Sequence, residues 1–278
     1  MNVQGLLEAL GATEEPFGFF YTDQEPPEGF SPKPGRLPTA AMEARGEVNF
    51  EEIFAGFSCV MANIWRARKN RTAAYFSRER FGCLGGAFYL GFSKPQLDFI
   101  ARYVSTGIPG VLEGEHYLES PEATRNFFNA IDPLPAPARF AVFKPLSHFA
   151  PVELPEVVIF FARPELITGL HFLASFVTND LEAVAAPFGA DCSFLVTWPR
   201  KYLAQGRLRA VLGGWDPSAR KFHRPDEISF AMPWEMWSQM AARWPESFLT
   251  TATWATVKKK ILHSRKVWGE ASPGSWTG

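Results

Sequence analysis

Residues 76–92, FSRERFGCLGGAFYLGF, constrain this chain more than any other stretch. An aromatic strand end runs into Gly82-Cys83-Leu84-Gly85-Gly86, and an apolar helix start follows. Glycine has no Cβ, so these glycines let the backbone turn tightly or approach another segment closely. A strand that turns directly into a helix belongs to a mixed α/β layer architecture. A cysteine inside such a turn is either a packed thiol or a ligand.

The same alternation runs along the whole chain. Residues 3–10 predict a short helix closed by Gly11, and PFGFFYT (16–22) predicts an aromatic strand. Residues 24–38 are rich in Pro and Gly and read as a surface loop. A helix is expected from Asn49, with Glu52 completing a capping box. Its apolar face would carry Ile53, Phe57, Val60, Ile64 and Ala67, and its basic end Arg66, Arg68, Lys69 and Arg71. That basic end suits the negative pole of a helix dipole. TAAYFSR then reads as a strand, and AFYLGF, KPQLDFIARYVSTG and SPEATRNFFNAI as helical pieces, with Pro95 in a first turn.

A junction is expected near Pro133–Pro137, giving a first α/β half over 1–135 and a second over 136–250. ARFAVFKPL and PEVVIFFARP open the second half as strands, and ELITGLHFLASFVTN follows as a helix. RLRAVLGG and ISFAMP predict further strands, and WEMWSQMAARW another helix. Residues 251–278 form a tail whose basic helix docks through its Trp and Ile face. The two halves echo one another. A shift of 133 residues lays Gly56 on Gly189, Cys59 on Cys192, Trp65 on Trp198, Arg68 on Lys201 and Cys83 on Asp216. The fold class is therefore α/β, in the mixed α+β sense, with two related halves about a pseudo-two-fold axis. That symmetry would set the Cys83 and Asp216 turns side by side.

PFGFFY, FSCVMANIW, RFGCLGGAFYLGF, PEVVIFFARPELITGL and the ending GADC…GG…AR…DEISFAMPWEMW together resemble the DUF169 family of uncharacterised prokaryotic proteins. The resemblance spans most of the chain, and Cys83 in GCLGG is its most specific part. It implies an α/β fold and no established activity. The family pattern also implies a second Gly-Cys turn late in the chain. Here GGWDPSAR stands in that place, with Trp215 or Asp216 where the cysteine would be and Arg220 matching the late arginine. A four-cysteine site does not follow from this sequence.

Three chemistries compete for these residues. A small-molecule or anionic ligand would sit at the Gly82, Cys83, Gly85 and Gly86 turn between the halves, with Arg78, Arg80, Asp216 and Arg220 around it. Zinc or an iron–sulfur cluster would use Cys59, Cys83, Cys192 and Asp216, although their spacing matches no standard cluster motif. A thiol enzyme would use Cys83 with a base such as His171 or His223. His116, His148 and His263 read as surface or packing residues, and Glu51 and Glu52 as solvated charge.

Composition narrows the partners. The net charge of −1 gives no electrostatic footprint for nucleic acid. No apolar run is long enough for an integral membrane segment, and the N-terminus lacks the pattern of a signal peptide. Three widely spaced cysteines make no disulfide framework, so a cytoplasmic protein is expected, with a homo-oligomer compatible. The 26 Phe, 9 Trp and 6 Tyr predict a thick core and material for an apolar pocket.

Overall fold

The computed structural model describes residues 3–33, 38–49, 56–93 and 98–268. Its centre is the antiparallel pair β1 (Phe17–Thr22) and β4 (Val157–Ala162), with Phe17 opposite Ile159 and Phe19 opposite Val157. The strand alternation explains why both faces of this pair are covered. Val157 and Ile159 point into one core with Phe17 and Phe19, while Val158, Phe160 and Ala162 point into another. VVIFF is thus a central strand buried on both sides.

The remaining strands are β2 (Ala74–Ser77), β3 (Phe140–Pro145), β5 (Val184–Ala185), β6 (Ala210–Gly213) and β7 (Ile228–Pro233). The seven form one sheet in the order β2-β3-β1-β4-β7-β6-β5. Every neighbouring pair is antiparallel except β5–β6, so the sheet is mixed. Outward from the central pair come β3 and then β2 on one side, and β7, β6 and β5 on the other. Strand β3, read from sequence as the opening of the second half, lies between β1 and β2.

Ten helices are seen among the described residues: α1 (Val3–Leu10), α2 (Ala40–Ala44), α3 (Val60–Asn70), α4 (Leu84–Tyr89), α5 (Asp98–Val104), α6 (Pro121–Ile131), α7 (Pro164–Thr178), α8 (Trp198–Ala204), α9 (Trp234–Arg243) and α10 (Ala252–Trp268). Local chemistry sets several ends. Ser120 caps α6 by accepting from the Ala123 amide at 3.1 Å, and Pro121 occupies the first turn, where its missing N–H costs nothing. Helix α7 stops at Asn179 in the left-handed region. Helices α1, α7, α9 and α10 bury one sheet face through Leu6, Leu170, Trp237 and Trp254. Helices α3 and α4 bury the other, through Ile64, Ala67 and Phe88. None of the described helices is long and apolar enough to cross a membrane.

One boundary departs from the sequence reading. Helix α3 starts at Val60 with Cys59 as its extended N-cap, so the helix expected from Asn49 does not run unbroken through Ser58. Ser58 is held in a β-bridge with Gly82, its amide donating to the Gly82 carbonyl at 3.0 Å, so the chain there is extended rather than helical. Phe57, expected on the apolar helix face, is more than half exposed. Glu52, Ile53 and Pro95 lie outside the described residues.

The packing yields a stability contrast. Trp237 is fully buried against Phe160, with ring centroids 5.5 Å apart. Trp237→Ala is expected to cost about 3–5 kcal/mol by urea denaturation. Leu181→Ala, at an almost fully exposed position, should stay within about 0.5 kcal/mol of the parent.

Candidate functional site

The Cys83 turn is built by close backbone approach. A Cβ on Gly82 would lie 2.6 Å from the Ser58 nitrogen, and one on Gly86 would lie 2.6 Å from Val60 Cγ2. These two glycines let the turn dock on the strand entering α3. Gly85 differs: a Cβ there would meet only Tyr89 and the Cys83 sulfur at ordinary contact distance. Cys83 is the N-cap of α4, its sulfur accepting from the Gly86 amide at 3.3 Å.

Three other segments reach this turn. Cys59 arrives as the N-cap of α3. Cys192 opens a π-helical turn, Ser193–Thr197, that runs into α8. Such turns are rare and recur at functional sites. Asp216 arrives on the loop between β6 and β7. The electrostatics place the four side chains in one neighbourhood. Burial pushes the Cys83 thiol up to about 12, and Cys59 and Asp216 push the same way. Cys192 is driven well above the usual thiol range by burial, then by Cys83, Cys59 and Asp216. Cys59 is raised by burial, with Asp216 and Asp191 adding to it. Tyr89 is raised by burial and then by Cys192, Asp216 and Cys83.

The consequence is a set of neutral thiols. A helix start alone would favour the Cys83 thiolate, but burial among other acidic groups outweighs it. Cys83 is therefore held in the opposite state from an activated nucleophile. Among the described residues, no group of three or more His, Cys, Asp or Glu side chains is placed to hold a metal ion. Cys59, Cys83, Cys192 and Asp216 are thus neighbours without forming a zinc or iron–sulfur ligand set.

The other expected residues go elsewhere. Arg220 donates to the carbonyl oxygens of Glu227, Arg224 and Pro225 at 2.8, 2.8 and 2.6 Å, which ties its own loop together. Arg80 pairs with Glu25 at 3.0 Å. Arg78 is exposed and lines a separate notch with Asp23, Glu79 and Arg139. His171 stands beside Phe172 on α7, which packs on the other face of the sheet. The cations expected around an anion at the Gly-Cys turn are therefore dispersed.

Acceptors gather there instead. Glu115 accepts from the Ser218 hydroxyl at 2.8 Å, and Ser218 also contacts the Tyr117 hydroxyl at 3.0 Å. Tyr103 is raised to about 12 by burial and by Glu115, with Cys83 also contributing. Burial raises the Glu115 carboxyl, and Asp216 raises it further. Burial likewise raises Asp216, and Asp191 acts in the same direction.

Behind this rim lies a buried ionic chain. Asp191 accepts from the amide of Gly214 at 3.0 Å, and its other carboxylate oxygen meets His223 Nε2 at 2.5 Å. His223 Nδ1 faces Glu227 at 3.7 Å. Glu227 takes two bonds from Arg68, at 2.8 and 2.7 Å, and Arg68 also donates to Glu14 at 2.9 Å. Burial alone would favour neutral His223, yet Asp191 and Glu227 outweigh it and the imidazole is raised. Burial also opposes the Glu227 charge, but His223 and Arg68 bring its carboxyl down to about 2. Sequence reading missed Asp191 and took Arg68 as a dipole partner. The signals were present as the Asp in GADC and the His and Glu in FHRPDE, but nothing local pairs them.

A family model for DUF169, described as uncharacterised ArCR, matches residues 5–243. The chain belongs to the DUF169 family. No curated protein and no solved structure matches it. The family match contains the thiol neighbourhood and the ionic chain, while α10 lies outside it.

Two measurements test this DUF169 site. Gly86→Ala should destabilise by about 1–3 kcal/mol, because buried Val60 must move, whereas Gly85→Ala should be neutral or stabilising by up to about 1 kcal/mol. Chemical denaturation separates the two. The pH dependence has two limbs. His223 is raised in the folded state, so its stabilisation is complete below its ordinary value of 6.5 and fades as pH climbs through the raised value. Glu227 is lowered, so its stabilisation is complete above 4.5 and fades as pH falls towards about 2. The stability gap between the parent and His223→Gln should shrink on the alkaline side, as read from denaturation midpoints at stepped pH.

Proposed function

We propose that this DUF169 protein binds a small molecule carrying hydrogen-bond donors or a positive charge where the Cys83 turn and the Asp216 loop come together. The observation that supports this best is the pair Glu115 and Asp216. Ser218 bridges them, its hydroxyl donating to Glu115 at 2.8 Å and its amide to Asp216 at 2.9 Å, and burial raises both carboxyls despite these bonds. Acceptors crowded in this way gain most from a donor or cation that arrives from outside. The dispersal of Arg78, Arg80 and Arg220 argues against the anionic ligand first expected at this turn, and the neutral thiols argue against a thiol enzyme. Trp215, exposed beside Asp216, offers an aromatic surface next to these carboxyls.

The strand order, β3 and β2 beside β1 against β7 and β6 beside β4, also supports reading the chain as two duplicated units, with β3 counted in the first rather than the second, and the binding place on their seam. On that reading one copy kept Cys83 and the other holds Asp216.

Thermal shift against a panel tests the ligand class. Amines and polyols should raise the melting temperature of the parent, and Asp216→Asn combined with Glu115→Gln should abolish the shift. Stabilisation by phosphate or carboxylates instead, a shift that survives the double substitution, or a panel in which no donor-bearing compound acts would overturn the proposal.

A further inference from the structure

A second concave site lies apart from the thiol neighbourhood. A cleft of about 390 Å³ opens where the end of β4 meets α1, α7 and α10. Small-molecule pockets run from about 300 to 1,000 Å³. The cleft's apolar lining includes Phe161, Leu166, Trp254 and Leu262, and its charged lining sets Arg68, Arg163, Arg224 and Lys258 against Glu14, Glu15 and Glu165.

Glu14 shows how the cleft handles a carboxylate. One of its oxygens accepts from Arg68 at 2.9 Å and the other accepts from Arg224. A single carboxylate therefore bridges two guanidiniums beside an apolar hollow, the arrangement that arginine forks favour. Arg68 is fixed in place by its two bonds to Glu227 and by lying 4.1 Å over the Phe161 ring. Arg224 and Glu14 are much more accessible, with side chains 58% and 35% exposed. Glu14 can thus swing into water without leaving a buried charge behind. The neighbouring Glu15 is already turned away, towards Arg71 at 3.0 Å and the Ser147 amide at 3.3 Å. Arg163 pairs with exposed Asp226 at 2.5 Å, and Lys258 donates to the Ala9 carbonyl at 3.1 Å.

We propose that this cleft binds a carboxylate carried on an apolar body, such as a medium-chain fatty acid. Its head would replace Glu14 between Arg68 and Arg224, and its tail would lie on Phe161, Leu166, Trp254 and Leu262. Glu14 then acts as an internal competitor that occupies both guanidiniums until the ligand's carboxylate displaces it. The site is independent of the binding place at Asp216.

Isothermal titration of the full chain with decanoate and decanol tests it, with melting temperatures confirming that each variant folds. Decanoate should bind at least about tenfold more tightly than decanol, and Arg224→Ala should weaken it about tenfold, the scale of a charged hydrogen bond. Glu14→Ala should tighten binding, because the competitor is gone. Leu166→Trp, which fills the floor, should remove binding of both compounds. Asp216→Asn should leave decanoate binding unchanged. No decanoate binding to either the parent or Glu14→Ala, equal affinity in Arg224→Ala, or weaker binding in Glu14→Ala would overturn the proposal.

Discussion

The contact on which the rest depends is the one between Arg68 and Glu227. Arg68 sits near the end of α3 and Glu227 just before β7, so the pair joins the two flanks of the sheet. The Glu227 side chain is almost wholly buried and that of Arg68 is only 10% exposed. A buried pair of this kind contributes little net energy compared with a well-packed apolar pair, but removing one partner leaves a stranded charge and is costly. Its value lies in geometry. Glu227 positions His223, His223 positions Asp191, and Asp191 holds the amide of Gly214 at the start of the Asp216 loop.

That chain explains how Asp216 is kept in a setting that disfavours its charge. Asp216 and Glu115 sit beside neutral thiols and tyrosines, where burial works against ionisation. A loop with freedom to move would carry Asp216 into water. Here it is pinned from behind by Asp191 and from within by Arg220, whose three bonds to backbone carbonyls close the 220–227 segment. Residues that read as ligand contacts in the sequence, Arg220 above all, are the scaffold. Residues that read as ordinary, Asp191 and Glu115, shape the site.

Much of the fold was legible because strand and helix signals are local. The aromatic alternation of FGFFYT, the continuous VVIFF run and the Ser-Pro start of α6 each fix an element from its own residues. The expected helix was read as running unbroken through Phe57, but the bridge between Ser58 and Gly82 draws the chain there into extended form, so the helix that holds Ile64 begins only at Val60. The dedicated turn at Gly82–Gly86 was found from glycine spacing alone, but not which glycine serves packing and which lies open. That difference depends on Val60 and Ser58, which approach from another element.

The sequence by itself determined six of the seven strands, most helices, the Gly-Cys turn and membership of DUF169, since each rests on neighbours along the chain. Only the tertiary structure decided that Arg68 belongs to Glu227, 159 residues away, and that Asp191 belongs to His223. It also decided that the cysteines share a neighbourhood without forming a metal site. Periodicity reports which face of an element is buried. It carries no information about which charged side chain waits on the far side of a sheet whose strand order is set by global packing.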